Sequence, residues 1–119
     1  TGWLAALSDP RIAPAVAAMH HDPARTWTVQ DLARAAAQSR TSFAVRFRRV
    51  TGQTPIEYLT EWRMLIAADR LSRTQASVAK VAADVGYTSE SAFGVAFKRV
   101  MGRAPRRFAR ARNGDGRAD

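Results

Sequence analysis

At 119 residues, with 46% apolar residues and a net charge of +9, the chain is long enough for one domain, or for two very small ones sharing an element, with a modest core. It has no cysteine, which excludes disulfides, thiolate nucleophiles and cysteine-held metal, and its only histidines are adjacent at His20 and His21, an arrangement that leaves a metal cluster hard to build. No apolar run approaches the ~20 residues of a membrane span, and the opening residues lack the basic-then-apolar layout of a signal peptide; the reading is a cytoplasmic protein with no cofactor, no metal and no enzymatic inventory.

In chain order, residues 1–8 hold Trp3, Leu4 and Leu7 and open on Thr1 rather than Met, so they are expected to be a lead-in from a missing domain. Asp9 is placed to cap a helix with Pro10 at its first position, running from Arg11 to about His21 with Ile12, Ala15, Val16 and Met19 on one face. After Asp22-Pro23, Thr28 caps a short helix ending near Ala37, with Asp31 completing a capping box and Trp27 stapling onto Leu32. Ser39 caps a third helix, Arg40 to Val50, whose buried side is Phe43, Phe47 and Val50, and Thr51-Gly52 stops it.

The start of a longer helix over 54–73 is written in Thr54 as N-cap, Pro55 at the first helical position and Glu57 reaching back. Its apolar face is read as Ile56, Leu59, Trp62, Leu65, Ile66 and Ala67, and it spans roughly 28 Å at about 1.5 Å per residue. The earlier pattern then returns. Ser77 opens a short helix with Val78, Val81, Ala82 and Val85 inward, Gly86 supplies a left-handed turn, and Thr88 or Ser89 caps a helix carrying Phe93, Phe97 and Val100. Gly102 stops it, Ala104-Pro105 starts a last helix through Phe108 to about Arg110, and a polar tail over 113–119 is expected to be disordered.

Phe43, Phe47, Arg49, Val50, Gly52 and Pro55 each have an identical residue fifty positions on, at Phe93, Phe97, Arg99, Val100, Gly102 and Pro105. This is an internal duplication, with one extra residue in the second turn. The charge is duplicated too: the excess sits at +4 over 38–53 and +7 over 98–112, while the rest of the chain is close to neutral. Two separated basic patches fit a polyanion touched twice. A short helix, a tight turn and a second capped helix make a helix-turn-helix, whose second helix enters the DNA major groove. The expected fold is therefore all-α with about seven helices: a first helix-turn-helix unit over 9–53, a central linker helix over 54–73, and a second unit with its closing helix over 74–112. Two recognition helices in adjacent major grooves must lie about 34 Å apart, within reach of the central rod plus the width of its flanking units.

The stretch VAKVAADVGYTSESAFGVAFKRVMGRAPRRF, residues 78–108, resembles the signature of the C-terminal DNA-binding domain of the AraC/XylS family of bacterial transcription regulators, and the likeness runs from about Ala13 to Arg110. GWLAALSDPRIAPAVAAMH together with EWRMLIAADRL is similar to members that carry an N-terminal cupin-like effector domain. The resemblance implies sequence-specific binding of double-stranded DNA, activator function, RNA polymerase as a partner, a nucleoid-associated location, and an effector and dimerisation domain outside this chain. Carried over position by position, it places base reading at Thr41, Ala44 and Val45 and at Glu90, Ser91 and Val95.

Ala44, Val45, Gly94 and Val95 depart from the polar residues usual in the family; they have no side-chain hydrogen bond to offer a base, though they can touch a thymine methyl. Hydrogen-bonded readout therefore falls to Arg40, Thr41, Ser42 and Arg46 in the first unit and to Ser89, Glu90 and Ser91 in the second, with Glu90 suited to cytosine N4. Phosphate contact is assigned to Ser39, Arg48 and Arg49, and to Thr88, Lys98, Arg99, Arg103, Arg106 and Arg107. The ordinary readings stand beside these: the phenylalanine pairs are core, the arginines a solvated helix face, and the histidines cations at a helix C-terminus. The competing function is a non-specific architectural nucleic-acid-binding protein, while a membrane surface is disfavoured because Phe108 is the sole large apolar residue between Pro105 and Arg112.

Overall fold

The structure, a computed structural model, describes residues 2–112; Thr1, the tail at 113–119 and the side chains of Trp3, Arg110, Ala111 and Arg112 lie outside the described residues. Among the described residues there are eight helices and no strand: α1 Gly2–Ser8, α2 Ala13–His21, α3 Val29–Ala35, α4 Arg40–Thr51, α5 Pro55–Arg73, α6 Val78–Asp84, α7 Glu90–Met101 and α8 Pro105–Arg112. The chain divides into two compact units, residues 1–59 and 60–119, so the boundary falls inside α5.

Most helix starts follow local chemistry. Thr28 accepts from the Asp31 amide at 3.0 Å while the Asp31 carboxylate takes the Thr28 amide. Thr54 and Glu57 form the same reciprocal pair at the head of α5, and Ser39 and Ser77 each accept an amide at the third helical position. Each capping side chain satisfies a donor that the helix cannot, for about 1 kcal/mol apiece. Of the two candidates for the α7 cap, Ser89 holds the position, accepting from the Ala92 amide at 3.1 Å. Gly52 and Gly102 end α4 and α7 at φ 80° and 82°, in the left-handed region that costs glycine nothing.

The N-terminal segment differs from expectation in two respects. Residues 2–8 form α1, which buries Ala6 against α2 and α4 and leaves Leu4 and Leu7 exposed. Asp9 does not cap α2, which starts at Ala13 with Ile12 as its uncapped flanking residue and Pro14 in the first turn. The reason is Pro14: a proline is tolerated in a first turn but breaks a helix interior, so a helix begun at Arg11 would have carried the break inside it.

In the first unit Ile12, Val16, Met19, Leu32, Phe43 and Phe47 are fully buried, joined by Tyr58 and Leu59 from the start of α5. The second unit buries Val81, Val85, Phe93 and Phe97 with Met64, Ala67, Ala68 and Leu71 from the rest of α5. Full burial of each large side chain contributes about 1.5–3 kcal/mol. The face expected for α5 was partly wrong: Ile56 is 40% and Leu65 45% exposed. The buried stripe at 64, 67, 68 and 71 holds the three- and four-residue spacing of one helical face, whereas Leu65 sits about 100° round from Met64.

Candidate nucleic-acid interface

The two second helices are built alike. Phe43 and Phe47 of α4 pack at 5.6 Å between ring centroids, Phe93 and Phe97 of α7 at 5.5 Å, and all four are fully buried. Pinning that side into a core orients the opposite side outward. On α4 this leaves Arg40, Thr41, Ser42, Val45, Arg48 and Arg49 exposed, with Ala44 half-buried among them. On α7 the exposed set is Glu90, Ser91, Ala92, Val95, Lys98 and Arg99, with Gly94 half-buried. Each face thus runs from a polar N-terminal turn, through a small residue followed by valine, to a basic end. Val45 at 53% and Val95 at 68% exposure occupy matching positions of the repeat, as do the caps Ser39 and Ser89, both exposed.

Arg46, expected to read a base, also has a partner within the fold. It is half-buried, and its Nε and Nη2 donate to Asp9 Oδ2 at 3.1 and 2.7 Å. That hydrogen bond is the main reason the Asp9 carboxyl is held below its ordinary value. Both bonds end on one carboxylate oxygen, so two nitrogens of the guanidinium are engaged while the side chain stays 35% exposed at the edge of the α4 face.

The turns are held differently. Ala37 adopts φ 56°, matching Gly86 at φ 97°, so the first turn makes the left-handed bend with a residue that carries a Cβ. Next to it, Gln38 Nε2 donates to the Arg11 backbone carbonyl. In the second turn, which is one residue longer, Tyr87 stands edge-on to Phe93 at 5.6 Å, and the Arg63 guanidinium of α5 lies over its ring at 5.8 Å. Burial weakens the charged form of Arg63, and the electrostatic attraction and hydrogen bond to Tyr87 oppose that loss.

Two open recesses flank α4. One is lined by Arg40, Ala44, Val45, Arg48 and Arg49 with Val29, Thr54 and Pro55, and the other by Arg11, Gln38, Thr41, Ser42, Val45, Arg46 and Arg49. Val45 and Arg49 line both, which sets them on the midline of the exposed face. Thr88 is exposed ahead of the α7 cap, Arg106 and Arg107 are exposed on α8, and the Arg103 guanidinium sits 5.0 Å over the Phe108 ring. Among the described residues no cluster of three or more His, Asp or Glu is placed to hold a metal ion, and no helix is long and apolar enough to cross a membrane. The assembled chemistry is anion contact through arginine forks and helix N-termini, with short polar and methyl-bearing side chains between them.

Sequence reading missed Arg11, which the tertiary fold brings beside α4, and missed the true partner of Asp9. The only local signal was the acidic residue two positions ahead of an arginine, and that pattern also fits an ordinary helix start.

Comparison with known proteins bears on this arrangement. A family model described as a helix-turn-helix domain matches residues 32–111. A putative AraC-like transcription regulator of Streptomyces lividans is 54% identical over 105 residues, covering 88% of this chain and 34% of that protein. The RCS-specific HTH-type transcriptional activator RclR of Escherichia coli K12 is 44% identical over 102 residues, 86% of this chain and 36% of its own length. The chain therefore spans about a third of the length of these relatives. Among solved structures, the DNA-binding domain of the global transcriptional factor AdpA, in complex with a target DNA, superposes with a TM-score of 0.80 at 33% identity, over 89% of this chain and 98% of that one. With its all-helical fold, duplicated helix-turn-helix and matched family model, the chain belongs to the AraC-type helix-turn-helix family of DNA-binding domains.

Proposed function

We propose that this chain is the sequence-specific, double-stranded DNA-binding domain of a bacterial transcription regulator, an activator that works with RNA polymerase, and that α4 and α7 each enter a major groove. The observation that carries the reading is the pair of matched faces on α4 and α7, each laid over a buried phenylalanine pair. Base edges fall to Arg40, Thr41, Ser42, Ala44 and Val45 on α4, and to Ser89, Glu90, Ser91 and Val95 on α7, the valines and Ala44 meeting thymine methyls. Phosphates fall to Ser39, Arg48, Arg49, Thr88, Lys98, Arg99, Arg103, Arg106 and Arg107. Sensing and dimerisation belong to the remainder of a longer protein, as the coverage of its relatives supports. The AdpA domain supports the reading because its structure holds a target DNA.

The apolar middle of each face favours one second reading, a non-specific architectural binder. Selection of bound duplexes from a random pool, at physiological salt against scrambled competitor, separates the two. An enriched motif with two halves about one helical turn apart is the expected result. Tight binding without enrichment supports the architectural reading, and no binding removes both.

A further inference from the structure

The segment between α1 and α2 is held by three polar ties, one internal to it, one to the middle of α4 and one to the turn ahead of α4. Asp9 Oδ2 accepts from Arg46 in the middle of α4 at 2.7 Å, Asp9 Oδ1 accepts the Arg11 amide at 2.8 Å, and Gln38, just ahead of the α4 cap, donates to the Arg11 carbonyl. Two of them engage the Arg11 backbone, one on each side of its Cα, and none uses its side chain. That side chain is exposed, pairs with no carboxylate among the described residues, and lines one recess with Thr41, Ser42, Val45 and Arg49.

We infer that Arg11 is a DNA-backbone contact of the first unit, a guanidinium delivered from outside the helix-turn-helix to a phosphate at the rim of the groove that α4 enters. The inference rests on the DNA-binding reading above and adds a residue that lies outside the 32–111 stretch matched by the family model. Three physical arguments support it. The backbone is already ordered by its ties, so binding must immobilise only the side chain. The nearby Asp9 carboxylate is neutralised by Arg46, which leaves Arg11 and Arg49 as the uncompensated charges of that recess. The first unit is also the poorer in charge, at +4 over 38–53 against +7 over 98–112, and at the forty-nine-residue offset that holds ahead of the turn Arg11 falls opposite Thr60, so the second unit has no equivalent cation there.

The test measures affinity of the whole chain for its selected duplex and for random duplex across a salt series, with Arg11→Ala and Arg11→Lys. Arg11→Ala is expected to weaken both duplexes by the same factor, roughly five-fold, and to lower the salt slope by about one; Arg11→Lys restores the slope. Thermal unfolding stays unchanged, because alanine keeps the amide and carbonyl that make the ties. An unchanged affinity and slope for Arg11→Ala overturns the inference while leaving the DNA-binding reading intact. So does weakened binding that tracks a lowered unfolding temperature, which assigns Arg11 a structural role. Weakening confined to the selected duplex overturns it by making Arg11 a base reader. Absence of binding by the unsubstituted chain overturns the DNA-binding reading and this inference with it.

Discussion

The guanidinium of Arg46 and the carboxylate of Asp9, 37 residues apart in the chain, meet at 2.7 Å and couple the segment ahead of α2 to the middle of α4. Arg46 keeps 35% of its side-chain exposure and Asp9 11%, a pair between the surface case, worth under ~1 kcal/mol, and a buried charge-assisted hydrogen bond, worth ~1.5–3 kcal/mol. Asp9→Asn and Arg46→Ala should each destabilise the chain by about 1–2 kcal/mol. The double substitution should cost little more than either alone, a coupling that urea unfolding can measure. It should also retain the salt dependence of DNA binding, since the pair carries no net charge. The folded-state value of Asp9 is lowered, so the pair stabilises fully above the ordinary carboxylate value of 3.8 and the contribution is lost as pH falls through the lower folded value.

Ala37 at φ 56° identifies a site for improvement. A left-handed alanine costs roughly 1–2 kcal/mol, and replacing it by glycine adds unfolded-state entropy worth about 0.4–1 kcal/mol. The strain is the larger, so Ala37→Gly should stabilise the chain by about 0.5–1 kcal/mol, and a lower unfolding midpoint would show that the turn is not strained.

Gly94 separates stability from binding on α7. A methyl placed there meets no atom within 4 Å, and its counterpart in the first unit is Ala44. Gly94→Ala should therefore raise stability by about 0.5–1 kcal/mol through helix propensity. If the helix backbone approaches the groove floor at this point, the same methyl lowers affinity for the selected duplex while stability rises. A gain in stability with unchanged affinity would place the close approach elsewhere on α7.

His20 gives the chain a pH dependence near neutrality. Its Nε2 lies 2.9 Å from the Tyr58 hydroxyl, the two rings stack at 5.9 Å, and burial holds the imidazole below its ordinary 6.5. This reverses the expectation drawn from its place at a helix C-terminus, where a dipole favours the cation, because desolvation is the larger effect. The unfolded chain then binds the proton more readily, so stability is full above about pH 6.5 and declines as pH falls from there through the folded value. His20→Gln should flatten that decline below about pH 6.5, ahead of the titration of the carboxylates. Persistence of the decline in the variant would assign it to another group.

Most helix starts and stops from α3 onward, the internal repeat and the two basic segments were legible in the sequence because each is decided within a few residues. Thr28 with Asp31, Thr54 with Glu57, Ser39 and Ser77 act on amides three positions away, and Gly52 and Gly102 need only their own φ. The phenylalanine pairs were equally plain, since a four-residue spacing on a short amphipathic helix has one face to bury. What the tertiary structure alone decided was the partner of each long-range side chain. Nothing near Asp9 in the chain announces Arg46, and nothing near Arg11 announces Gln38, because those meetings depend on how α1 packs between α2 and α4. The buried stripe of α5 was ambiguous for a related reason: with apolar residues at both Met64 and Leu65, two adjacent faces satisfy the same period, and only the helices packed against them determine which is covered.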